Sequence, residues 1–173
     1  MMWYVIQVGA GKEEEIAREL QKQGIRALVP VEDRPIHSKG AWIRKRYVIF
    51  SGYVFVSMAY KAENYYRVRK IPGVLRFLGD AGAPSTLSHL EAEWIRLLGE
   101  DGPLEPTRVR FQEDGTAVIL SGILTRLPNR IVRWDRRSRR AVFEITLCGE
   151  RKEVRLGIEP EGAEKETDPN ADG

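Results

Sequence analysis

A change of periodicity at residues 99–106 constrains the fold of this chain more than any other feature. Before it, strand-like and helix-like strings alternate, whereas after it only short strand-like strings remain, spaced by turn residues. The break itself, "GEDGPLEP", holds two glycines, two prolines and three acids and has no apolar period, so it reads as a flexible linker. The expected organisation is a first domain at 1–98, a linker at 99–106, a second domain at 107–158 and an acidic, coreless and disordered tail at 159–173.

In the first body "WYVIQV" (3–8) is β-branched and aromatic and reads as a buried strand. "GAGKEEEIARELQKQG" sets Ile16, Ala17 and Leu20 at helical spacing, with acids in the first turn and Gly24 as the stop. "IRALVPV" is a second strand interrupted by Pro30. "DRPIHSKGAWIRKRYVIFSGYVFVSM" reads as a strand pair of the same domain, preceded by a polar turn around Ser38, Lys39 and Gly40, with "SG" (51–52) breaking its second apolar run. "KAENYYRVRKI" is a short helix, "VLRFL" a strand, and "TLSHLEAEWIRLLG" a helix capped by Ser88 and Glu91, with Leu90, Trp94, Leu97 and Leu98 as its apolar stripe.

In the second body "TAVIL", "RIVRW", "AVFEITL" and "KEVRL" predict a small antiparallel barrel. The fold class expected is α+β, an α/β sandwich with an antiparallel sheet, a linker, and a small antiparallel β-barrel.

Charge sharpens this picture. Residues 1–98 carry 15 Lys/Arg against 10 Asp/Glu, and residues 107–158 carry 12 against 6. The tail is acidic, so two basic bodies suit a polyanionic partner. The basic residues concentrate in "RWDRRSRR" (133–140), where the polar residues between Trp134 and Ala141 must turn the chain between two strands. Arg136, Arg137, Arg139 and Arg140 are expected to project from that tip, Arg133 to end the strand, and Arg126 and Arg130 to lie in the preceding loop. A solvated turn accounts for such a tip, but so many guanidinium forks favour phosphate and base contacts.

Other classes find no support. There is no apolar run long enough to span a membrane, and Cys148 is the only cysteine. His37 and His89 lack ligand spacing, and no nucleophile–base set or cofactor motif occurs. The expectation is a non-enzymatic, cytoplasmic, monomeric binding protein without cofactor.

Particular strings carry a resemblance. "WYVIQV…GKEEEIARELQKQGI", "FSGYVFV" (50–56) and "IPGVLRFLG" (71–79) resemble the amino-terminal domain of the NusG family of transcription elongation factors. Residues 113–160 are similar to that family's KOW domain. Ser51 stands where the family has a proline before Gly52 and Tyr53, and Asn129 where a glycine is expected. The resemblance implies a protein that rides on RNA polymerase, suppressing pausing and termination. Its first domain would receive the clamp helices of the largest subunit on Val5, Phe50, Tyr53 and Phe55, with Phe77 beside them. Asn64, Tyr65 and Tyr66 would face the other side of the polymerase cleft. The arginine-rich second domain would contact nascent RNA, such as a hairpin, through Arg126, Arg130, Arg133, Arg136, Arg137, Arg139 and Arg140. This is similar to the LoaP group of specialised paralogs. The alternative is a housekeeping member whose KOW domain docks a ribosomal protein or Rho. "WIRKRY" (42–47), with His37 and Lys39, offers a contact to upstream DNA or a merely solvated strand surface.

Overall fold

A computed structural model of the chain describes residues 1–79, 83–127 and 131–163. In chain order the elements are β1 (Met2–Val8), α1 (Glu13–Lys22), β2 (Arg26–Leu28), β3 (Val31–Ser38), β4 (Ala41–Val48), β5 (Tyr53–Met58), α2 (Ala62–Arg69) and β6 (Val74–Phe77). They continue with α3 (His89–Gly99), β7 (Thr107–Phe111), β8 (Ala117–Ser121), a 3-10 turn (Ile123–Thr125), β9 (Ile131–Asp135), β10 (Arg140–Leu147) and β11 (Glu150–Pro160).

Two compact units result, and neither is a continuous stretch of chain. The first comprises Met1–Pro30, Phe50–Asp101 and Thr146–Arg151, and the second Val31–Ile49, Gly102–Ile145 and Lys152–Gly173. The first is built on an antiparallel sheet in the order β2-β5-β1-β6. Strand alternation sorts its side chains: Tyr4, Ile6, Val54 and Val56 join Ile16, Leu20 and Val68 in one core, while Val5 pairs with Phe55 on the other face. Helix α1 forms because three acids occupy its first turn and its apolar positions fall on one stripe. Its end is fixed by Gly24 at φ 78° and by the Ile25 amide donating to the Leu20 carbonyl (3.0 Å). Burying Leu20 completely contributes about 2 kcal/mol. Helix α3 carries the capping box of Ser88 and Glu91. Its buried residues are Ile95 and Leu98, while Leu90 of the expected stripe is 60% exposed.

The second unit holds a five-stranded sheet in the order β8-β7-β11-β10-β9 and the separate hairpin β3–β4. The hairpin turns through Lys39 (φ 51°) and Gly40 (φ 79°), two left-handed residues between the paired Ser38 and Ala41, which is the geometry that matches strand twist. Val109, Leu124, Phe143, Val154, Leu156 and Ile158 are buried in this unit.

Four expectations change. The strand pair read into the first domain divides: β3–β4 belongs to the second unit and β5 to the first. The presumed linker is tied down, since the Leu104 amide donates to the Val31 carbonyl (2.9 Å) and its carbonyl accepts from the Asp33 amide (2.8 Å). The sheet is not purely antiparallel, because β11 runs parallel to β7, Ile158 opposite Thr107. The start of the acidic tail is ordered: Glu159 and Pro160 extend β11, and the Glu161 carboxylate accepts from Arg110 Nε (2.5 Å) and Nη2 (3.3 Å). Local patterning finds strands but not their distant partners, which explains these differences.

Candidate functional site

The residues expected to receive polymerase do not form one open surface. Val5 and Phe55 are fully buried and paired across β1 and β5, and Phe50 sets its ring edge-on to Phe55 at 5.3 Å between centroids. Leu28, opposite Phe55, packs against the end of α3 at Gly99. These three side chains, expected to receive the clamp helices, are packed in the core here. Only Tyr53, half-buried, reaches outward. Its position is set by a turn through Ser51 and Gly52 (φ 86°), with the Tyr53 amide donating to the Phe50 carbonyl. Without a proline, this turn is braced by a group that periodicity did not reveal. The buried Glu13 carboxylate accepts from the Gly52 amide (2.8 Å) and the Gly11 amide (3.2 Å).

Phe77 lies opposite Ile6, on the other sheet face from Phe55, so it does not join that group. Instead it stacks on Tyr65 (5.1 Å, 17° between planes) and meets Tyr4 edge-on. Tyr66 is edge-on to Tyr65 and Tyr60 contacts Tyr4, so the five rings form a ridge. Tyr60 and Tyr66 are about 60% exposed on it. Asn64 lies at its base, its amide donating to the Ala59 carbonyl (2.9 Å).

In the second unit the arginines separate. Arg126, Arg133, Arg136 and Arg137 are exposed, and Arg130 lies outside the described residues, as does Asn129. Arg139 and Arg140 are buried, which corrects the expectation that both project from the tip. The tip spans the four residues between Asp135 and Arg140, which pair across β9 and β10. Asp135 accepts from the Ser138 amide, and the Ser138 side chain, followed by this amide, holds its carboxyl below the usual carboxylate range. Arg139 turns left-handed (φ 57°) and lays its guanidinium 3.7 Å from the centre of the Trp42 ring. Arg140 donates to the Ser138 and Arg139 carbonyls. Burial, with Arg34 nearby, pushes its pKa down to about 10, against the opposing pull of Glu32, Tyr47 and Asp135. The guanidinium still stays charged at neutral pH.

Arg140's nearby carboxylate is the second residue that local patterning missed. Glu32, 2% exposed, accepts from Arg34 Nε (2.6 Å) and from the Gly157 amide (2.8 Å), and Arg34 lies over the Tyr47 ring. Glu32 and Arg34 are two apart on one strand, hence on one face, and that spacing was a readable signal of an inward ion pair. On the exposed side, Arg136 lies 5.0 Å from the Phe111 centroid and Trp134 meets that ring edge-on. Cys148, half-buried, has its thiol pushed up to about 11, chiefly by burial and then by Glu91 and Glu150. Among the described residues no cluster of metal-ligating side chains occurs, and no helix is long and apolar enough to cross a membrane.

The chain thus comprises an α/β unit with an aromatic ridge and a β unit with exposed arginines. A family model described as "Transcription termination factor nusG" matches residues 1–96, and the chain belongs to the NusG family, whose members are transcription factors and not enzymes. The transcription termination/antitermination protein NusG of Bacillus subtilis is 26% identical over 167 residues, covering 89% of this chain and 93% of its own. That of Halalkalibacterium halodurans is 31% identical over 119 residues, covering 63% and 67%. In fold, the chain is similar to the solved NusG of Thermotoga maritima, with a TM-score of 0.56 and 24% identity over 91% of this chain and 93% of that one.

Proposed function

We propose that this protein is a transcription elongation and antitermination factor whose first unit seats on RNA polymerase and whose second contacts nascent RNA. Membership of the family supports the polymerase half. On this reading the ridge of Tyr60, Tyr65, Tyr66 and Phe77, with Asn64 at its base, offers one contact and Tyr53, on the opposite sheet face, a second, since exposed aromatics are the usual anchors of protein interfaces. The second unit takes the role of a KOW module, with residues 107–158 as its sheet, and the specialised LoaP type is the subgroup that its arginines fit best.

One observation carries the RNA half: Arg136, exposed, is held over the Phe111 ring with Arg137 beside it, so a fork and a stackable plane are presented together. The housekeeping alternative has its own observation, since Val118 and Leu120 on β8 are 41% and 37% exposed and suit a protein partner such as a ribosomal protein or Rho. Capture of the host's polymerase by the full chain tests the first half. The double variant Tyr60→Ala, Tyr66→Ala should lose at least tenfold in affinity. Unchanged capture would remove the ridge from the contact. Binding of a leader-RNA hairpin, lost in Arg136→Ala, Arg137→Ala, tests the second half. Retained binding would favour the β8 reading.

A further inference from the structure

The strongest basic feature of the first hundred residues and that of the second body lie in one unit. We propose that the β3–β4 hairpin completes the RNA-binding surface, so that the reading head consists of two turns, Lys39–Gly40 and Arg136–Arg137, joined by Arg139 stacked on Trp42. This rests on the RNA reading above and changes its substance, because residues 107–158 then hold only half of the site.

The geometry follows from register. In the hairpin Ser38 pairs with Ala41 and His37 with Trp42, so Trp42 lies two rungs, about 7 Å, from the Lys39–Gly40 tip. Arg139, two residues after Arg137, lies with its guanidinium 3.7 Å from the centre of that Trp42 ring. The left-handed backbone at Arg139 turns its side chain away from its exposed neighbours and towards the hairpin. The two tips are therefore held as neighbours by a desolvated cation–π contact, a geometry that costs the site little further ordering on binding.

The available charges agree. Arg133 lies 4.0 Å from Glu153, and Arg46 pairs with Asp33, so both are partly neutralised. Asp135, the acid inside the turn, is occupied by the Ser138 amide. Among the described residues Lys39, Arg136 and Arg137 are exposed and in no ion pair. His37, also exposed, sets its ring 5.3 Å from Trp42 and gives the hairpin side a surface on which an unpaired base can stack. Cations on both tips with a ring beside each, His37 on one and Phe111 on the other, suit an RNA loop flanked by paired backbone.

The test uses the full chain with a short RNA hairpin bearing an unpaired loop, and a DNA hairpin of the same sequence, titrated across salt. Arg136→Ala, Arg137→Ala should lower the salt slope by about 2 and Lys39→Ala by about 1, as lost phosphate contacts do. Lys39→Glu, at an exposed tip, should weaken RNA binding at least tenfold while the unfolding midpoint stays that of the unaltered chain. Trp42→Leu should weaken binding and abolish the further effect of Lys39→Glu, whereas Trp42→Phe, which keeps a ring, should restore both. If Lys39→Glu binds with unchanged affinity and slope while Arg136→Ala, Arg137→Ala does not bind, the two-turn head is overturned and the RNA reading stands. If the unaltered chain binds neither hairpin, or the DNA as tightly as the RNA, the RNA reading itself is overturned.

Discussion

Arg136 and Arg137 are exposed, while Arg139 and Arg140, one serine further on, are buried. The two pairs are chemically identical and a few ångströms apart along the backbone, so composition cannot tell them apart. Two things do. The positive φ at Arg139 reverses the side-chain direction within the turn, and an aromatic ring and a carboxylate from the two strands of a hairpin about a hundred residues earlier line the space the second pair enters. An arginine-rich string therefore states how much positive charge is present, not how much of it can meet a partner.

Substitutions can break or sharpen this contrast. The largest effect is expected at Glu32. Its removal leaves Arg34 and Arg140 without their buried counter-charge, so Glu32→Ala should destabilise the second unit by about 3 kcal/mol in urea unfolding. Gly157→Ala comes next, because a Cβ there would stand 2.7 Å from Pro35 Cδ. A loss of about 1–3 kcal/mol in the same assay is expected for such overpacking. A stability unchanged by both would mean that the hairpin is not docked as described. Arg136→Ala and Arg137→Ala should each change stability by less than about 0.5 kcal/mol, since exposed charges add little. A larger loss would place these residues with the buried pair.

The mildest check asks whether burial silences a reactive group as it silences a charge. With its pKa pushed to about 11, the Cys148 thiol stays protonated at pH 8, and its alkylation should be on the order of a hundredfold slower than that of an exposed thiol. The rate should climb as pH rises towards 11. Fast labelling at pH 8 would show the thiol open to solvent.

Much of the architecture was legible because it is local. Ile16, Ala17 and Leu20 announce α1, Ser88 and Glu91 announce the start of α3, and the alternation of Phe143, Ile145 and Leu147 announces an inward face of β10. What escaped is non-local. Nothing near Val5 or Phe55 in the sequence says that both faces of their sheet are covered. Nothing near residue 31 says that the hairpin it opens will join strands beyond residue 102. In the sequence Glu13 is only one of three acids in the first turn of α1, yet its carboxylate braces a turn 39 residues away. The aromatic ridge was half legible: Tyr65 and Tyr66 were singled out, but Tyr60 and the stacking on Phe77 needed the sheet register.

The bond between Glu32 and Gly157 joins residues 125 apart. At a synthesis rate of about 5–20 residues per second, the hairpin leaves the ribosome roughly 6–25 s before the strand that receives it. During that interval it is a two-stranded ribbon with its edges, its tryptophan and a carboxylate destined for burial all in water, and such a ribbon is barely stable alone. The second unit is thus the late and slow step of this chain's biogenesis. Truncation before β11 would strand a nascent protein whose first sheet is complete and whose cationic half has never formed.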